Sequence, residues 1–190
     1  YLEKLILPNN TDTIDLIVNS NHILDDIVFQ SDLSYNTVVI ANSIGLCELV
    51  VKGKFVADVW SAFRYTGGNL VQVDFSGITY APYQTGITLS NAGGYSSLKQ
   101  INFNNNVPIY NWKLMLSGTG YDSIYYPNFS CIEVNSQSSA IFCAGNNDWP
   151  SFVNYSTNCY LPINRQAVTS VIQQQHSENK ILIKNNQIFL

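Results

Sequence analysis

The chain has 190 residues, 46% of them apolar and only 12% charged, with a net charge of −4 at pH 7. That suits one domain with a sizeable core, and it speaks against charge-rich disorder and against the Lys/Glu/Leu texture of a coiled coil. With 7 Lys and 2 Arg, a phosphate-tracking surface is not expected, and so no nucleic-acid partner.

Polarity comes instead from 23 Asn, 19 Ser, 10 Thr and 12 Tyr. In chain order, strands are predicted over Leu2–Leu7, Ile14–Val18, Asp26–Phe29, Thr37–Ala41 and Leu46–Val51. Ile23–Phe29 also suits a helix. Clear period-two alternation follows in Lys54–Trp60 (Phe55, Ala57 and Val59 on one face) and Asn69–Phe75 (Val71, Val73, Phe75). It recurs in Lys99–Phe103 (Ile101, Phe103) and Tyr110–Leu116 (Tyr110, Trp112, Leu114, Leu116). Trp60 and Trp112 are assigned to the core. Ser130–Val134 and Ser139–Cys143 read as two strands about a turn, Asn135–Ser138. Asn158–Leu161 and Ala167–Ile172 are further strand candidates, and Ala167–Ser177 suits a turn or more of helix. Lys180–Leu190 reads as a hairpin in which Ile181 and Ile183 face Ile188 and Leu190 across Asn185-Asn186. Turn signals lie at Thr66-Gly67-Gly68-Asn69, Asn91-Ala92-Gly93-Gly94, Asn104-Asn105-Asn106 and Ser117-Gly118-Thr119-Gly120. No internal repeat or linker is apparent. Many short strands at close spacing predict one all-β domain over residues 1–190. The expected architecture is an antiparallel β-sandwich, galectin-like or jelly-roll-like, with long loops and little helix.

The chain starts at Tyr1 with no signal-peptide pattern, which reads as a processed chain or a piece of a larger surface protein. No stretch approaches the ~20 apolar residues of a membrane helix, so direct membrane insertion is not expected. Four cysteines, none in a C-x-x-C pair, suggest two disulfides and an oxidising compartment. Cys131–Cys143 across the expected hairpin would leave Cys47 with Cys159. The competing set is Cys143–Cys159 with Cys47–Cys131. Asn9, Asn128 and Asn154 head N-glycosylation sequons, at the frequency this composition produces by chance.

Enzymatic constellations are sparse. His22 and His176 lack a metal-ligand neighbour one helical turn away, and no G-x-S-x-G elbow occurs. Asp12, Asp15, Asp25 and Asp26 lack EF-hand spacing and read as solvated loop carboxylates. No catalytic residue, metal or cofactor is therefore expected. A recognition role suits the uncharged loops better. Trp149 lies beside Asn146, Asn147 and Asp148, and a flat ring with amide and carboxylate groups is the chemistry of a sugar site. The alternative is that Trp149 folds back to plug the end of the core. Tyr80, Tyr83, Tyr95, Tyr121, Tyr125 and Tyr126 lie in or beside loops, as in adaptable binding surfaces. Trp149, Asn146, Asn147, Asp148, Tyr125 and Tyr126 are the expected ligand-binding residues.

The Asn/Ser/Tyr richness, low charge, short strands and late cysteines resemble the lectin-like receptor-binding head of viral spike or haemagglutinin attachment glycoproteins. Gly77-Ile78-Thr79-Tyr80-Ala81-Pro82-Tyr83, 7 of 190 residues, is similar to a segment of nidovirus haemagglutinin-esterases. The esterase nucleophile motif is missing, so no hydrolysis is implied. The resemblance implies a β-sandwich on a virion or outside the cell that binds a host cell-surface glycan or protein receptor, oligomeric through its parent protein. Bacterial adhesin and phage tail-fibre domains share the texture. Two other readings are a virion, fibre or pilus assembly module and a secreted hydrolase with a dispersed triad.

Overall fold

Alternation of apolar and polar residues gives each strand one dry and one wet face, and the strands of this chain meet that demand by coiling. In the computed structural model, residues 3–7, 12–19, 24–43, 45–57, 60–67, 69–90, 96–117, 123–159, 182–184 and 187–189 are described. The strands are β1 (Lys4–Ile6), β2 (Thr13–Asn19), β3 (Asp26–Val28), β4 (Ser34–Ala41), β5 (Glu48–Phe55), β6 (Phe63–Thr66) and β7 (Gln72–Tyr80). Then come β8 (Thr85–Ser90), β9 (Gln100–Phe103), β10 (Trp112–Ser117), β11 (Cys131–Val134), helix α1 (Gln137–Gly145), β12 (Asn154–Ser156), β13 (Leu182–Lys184) and β14 (Gln187–Phe189).

Among the described strands every pairing except β13–β14 is parallel. The fold is a parallel β-solenoid, which corrects the expected antiparallel sandwich. Apart from β13 and β14, successive strands do not fold back on each other. From β5 to β10 each strand turns a corner onto a different face, and pairing occurs one coil later. One face stacks β14-β2-β4-β6-β8-β10 and a second stacks β5-β7-β9-β11-β12. The start of β4 meets the end of β5, Ser34 opposite Lys54 and Tyr35 opposite Phe55, and Lys54 in turn meets Tyr80. These strand ends form a third face.

The repeat missed in the sequence is this coil. Leu16 pairs with Val38, Val38 with Phe63, Phe63 with Ile87 and Ile87 with Leu114, at steps of 22, 25, 24 and 27 residues. On the second face Leu49, Val73, Ile101 and Ile132 stack likewise, at steps of 24, 28 and 31 residues. Like residues thus sit on like residues, and each coil buries the open face of the one before it. Aromatic rings cross the interior between these columns. Phe75 stacks on Phe103 at 5.1 Å and meets Phe63 edge-on at 5.2 Å.

Side-chain amides bridge the coils where the backbone ladder stops. Asn105 Nδ2 donates to Phe75 O (2.9 Å) while its Oδ1 accepts from Val107 N (2.9 Å). Asn135 Nδ2 donates to Asn105 O (3.0 Å), and Asn111 Nδ2 to Ala81 O (2.6 Å). Asn suits these corners because one side chain can donate and accept at once. Part of the asparagine content is therefore scaffold.

The hairpin at the chain end forms, with Ile183 opposite Ile188. Its second strand lies parallel to β2, which places Ile188 opposite Leu16. The strand expected over Ser139–Cys143 is instead helix α1. Ser136 caps it, accepting from Ser139 N at 3.1 Å, and the consecutive run Ala140-Ile141-Phe142-Cys143 lacks strand alternation. Asn158 and Cys159 are not in a strand. Ala167–Ser177 lies outside the described residues.

The helix also undoes both expected disulfide sets. The bridge is Cys131–Cys159, with Cα atoms 5.9 Å apart, while Cys47 is exposed and free and Cys143 is buried and free. Burial in α1's packed side pushes the Cys143 thiol up to about 12. Peptide mapping of the native protein is expected to find Cys131 joined to Cys159, with Cys47 alone alkylated before denaturation. Reduction should cost about 3–4 kcal/mol, the loop-closure value for a separation of 28 residues. Thermal unfolding with and without reductant checks this, and an unchanged midpoint would reject it.

Candidate functional site

One stretch of the third face stands out for what it lacks. Phe75–Tyr83 and Phe103–Asn111, on successive coils, contain no charged residue, and neither does Asn135–Ser139 on the coil after. Between them lies a cavity of about 410 Å³ lined by Ser76, Ile78, Thr79, Asn104, Asn105, Asn106 and Asn135. Asn105 and Asn135 are committed to the inter-coil bridges. Thr79 Oγ1 donates to Gly53 O at 3.2 Å, and Asn104 Nδ2 donates to Glu133 Oε1 at 3.2 Å. Ser76 and Asn106 are exposed at the rim.

Three tyrosines continue this surface. Tyr80, Tyr83 and Tyr110 are 53%, 62% and 55% exposed. Thr85 pairs with Trp112, so Tyr83 and Tyr110, each two residues earlier, sit on neighbouring coils at one corner. Gln84 adopts a left-handed φ of 60° there, and Ile109–Asn111 forms a 3-10 turn. These turns throw the rings outward. The result is a surface of hydroxyls, amides and phenol rings, bordered by Lys52 opposite Gly77 and Lys54 opposite Tyr80. Its amides, hydroxyls and rings can form directional hydrogen bonds and cover apolar sugar faces without themselves carrying charge.

The residues expected to bind ligand are not assembled in this way. Trp149 is 3% exposed and packs on Phe103 and Tyr155, with ring centroids 5.3 and 6.3 Å away. It plugs the end of the core, because burying an indole outweighs leaving it in a wet loop. Asn146 shapes the turn, its Oδ1 accepting from Asp148 N at 2.9 Å. Asp148 pairs with Lys113 at 3.0 Å, and Asn147 is exposed. Tyr125 packs half-buried against the core. Tyr126 is buried, donates to Leu89 O at 2.9 Å, and its phenol is pushed up to about 12 by burial.

Sequence reasoning set Tyr80 and Tyr83 in or beside loops, but put Tyr110 on one strand face with Trp112 and assigned Trp60 to the core. Trp112 is core, as expected; Trp60 is 63% exposed. Pro108 was the available signal for Tyr110, because a proline interrupts the alternation before β10 begins at Trp112. Asn128 and Asn154 are exposed. Asn9, His22, His176, Tyr95 and Tyr121 lie outside the described residues. Asp15 accepts from Thr37 Oγ1 at 2.7 Å, and Asp26 pairs with Lys4 at 2.7 Å. Among the described residues no group of three His, Cys, Asp or Glu side chains could hold a metal, and no helix is long and apolar enough to cross a membrane. No family model matches the chain, and no curated protein or solved structure matches it either.

Proposed function

We propose that this chain is an extracellular, non-enzymatic attachment module that recognises neutral glycan on a cell surface through the Tyr80/Tyr83/Tyr110 face and its asparagine-lined cavity. The observation that carries the reading is the pairing of three exposed phenol rings with a cavity on adjacent coils whose lining side chains are all uncharged. Exposed rings on a rigid corner lose little conformational entropy on binding, so their contact area converts efficiently to affinity. The Cys131–Cys159 bridge supports an oxidising compartment.

Replacing Tyr83 and Tyr110 together by alanine is expected to weaken glycan retention at least tenfold, about 1.4 kcal/mol, and to leave the unfolding midpoint unchanged. A broad glycan array beside thermal unfolding checks both. Retention undiminished in the double variant, or no neutral glycan retained by the native chain, rejects the reading. An assembly module is the second reading, favoured by β10 having β8 as its only partner among the described strands. An unpaired edge is a template for another chain. A concentration-dependent oligomer in solution with no glycan retained would select it.

A further inference from the structure

Trp60 is an exposed indole that its neighbours hold in place. Its carbonyl lies so close over Gly86 that a Cβ there would stand 1.7 Å from Trp60 O. Gly86 pairs with Lys113 between β8 and β10. Lys113 Nζ sits 4.3 Å from the Trp60 ring centroid and 3.0 Å from Asp148 Oδ1. Three coils therefore converge on one ring: its own backbone rests on β8, an ammonium from β10 lies over the ring, and a carboxylate from the loop after α1 fixes that ammonium. The indole still remains 63% exposed.

We propose that Trp60 is the far subsite of a binding track that begins at the tyrosine face, and that the ligand is an extended neutral oligosaccharide rather than a single terminal sugar. This rests on the glycan reading above. The placement follows from register. Tyr83 and Tyr110 precede Gly86 and Lys113 by three residues each, so Trp60 lies just past the corner that the tyrosines mark. The cavity lies before that corner, at Asn104–Asn106, and the indole beyond it, against Gly86 and Lys113, so a ligand that touches both runs along the surface past the tyrosines. Lys113 and Asp148 offset one another beside the ring, so among the described residues the far subsite presents an apolar platform with a compensated ammonium. An exposed ring with an ammonium over one face is biased towards the orientation that presents the rest of the indole for stacking.

The test uses linear oligosaccharides of one to six units, built on glucose, mannose, galactose, N-acetylglucosamine and N-acetyllactosamine repeats. Each is titrated against the native chain, Trp60→Ala, Trp60→Phe and the Tyr83→Ala/Tyr110→Ala double variant. For the series that binds, native affinity is expected to rise at least tenfold between one and four units. Trp60→Ala should erase that gain and leave the short-chain affinity unchanged. Trp60→Phe, which keeps a ring under Lys113, should restore much of it, and the tyrosine variant should weaken every length. Affinity independent of length, or a Trp60→Ala variant that matches the native chain at four units and above, overturns the extended track while the tyrosine face stands. No binding of any series by the native chain overturns the glycan reading and the track together.

Discussion

Trp112→Ala is expected to lower the unfolding free energy by about 3–5 kcal/mol, the range for deleting a buried aromatic side chain. The indole is 3% exposed and lies 5.4 Å from Phe103, 6.0 Å from Phe75 and 6.3 Å from Phe55, centroid to centroid. Those rings belong to three other strands, β9, β7 and β5, so the residue ties both main stacks of the solenoid together. Neighbouring coils cannot collapse into the space, since their spacing is set by the parallel backbone ladder. Trp112→Phe should cost far less. It keeps a ring and removes an indole N–H that has no hydrogen-bond partner among the described residues. Denaturant unfolding of the two variants checks the contrast. Equal losses would show that the ring packing is not what matters there.

Gly53→Ala is the second large loss, expected at about 3 kcal/mol or more from backbone strain and collision together. Gly53 has φ +106°, where an L side chain is strained, and an added Cβ would stand 2.5 Å from Leu33 O and 2.9 Å from Tyr35 Cε2. The position lies at a register irregularity where β5 bends from the second face to the third. Lys54 N donates to Leu33 O at 3.0 Å immediately beside it. Relief would require β5 to lift from β4, breaking the contact of Tyr35 with Phe55. Gly145→Ala is the control. Nothing lies within 4 Å of its added Cβ, and it closes helix α1, so the change should be neutral or slightly stabilising. Similar midpoints for the two alanine variants would remove the argument.

The tyrosine face was partly legible. Tyr80 and Tyr83 were recognisable as exposed rings because Pro82 and the neighbouring turn chemistry break the alternation around them. Tyr110 was hidden by its spacing: it falls in step with Trp112, Leu114 and Leu116, and only the turn after Pro108 takes it off that stripe. Trp149 misled in the opposite direction. Its asparagine-rich surroundings look wet, yet Phe103 and Tyr155 come from other coils to cover it. The coil itself left a trace that went unread. Thr66, Ser90 and Ser117 pair in register, and each is followed in sequence by one of the predicted Gly/Asn turns. Those turn signals follow the ends of three strands stacked on consecutive coils, conspicuous in their spacing although no two coils share an obvious motif.

What the residues alone determined is local. They set which side chains alternate, where the chain must turn, that Trp112 is buried, and that the chain carries little charge. Tertiary structure decided who pairs with whom: parallel coils in place of hairpins, Cys131 with Cys159, Trp149 inward and Trp60 outward. The physical reason is that a period of two specifies a dry side and a wet side of a strand and nothing about the direction of its neighbour. That choice depends on backbone partners 22 to 31 residues away, and it is these partners that bring uncharged turns from separate coils onto one surface.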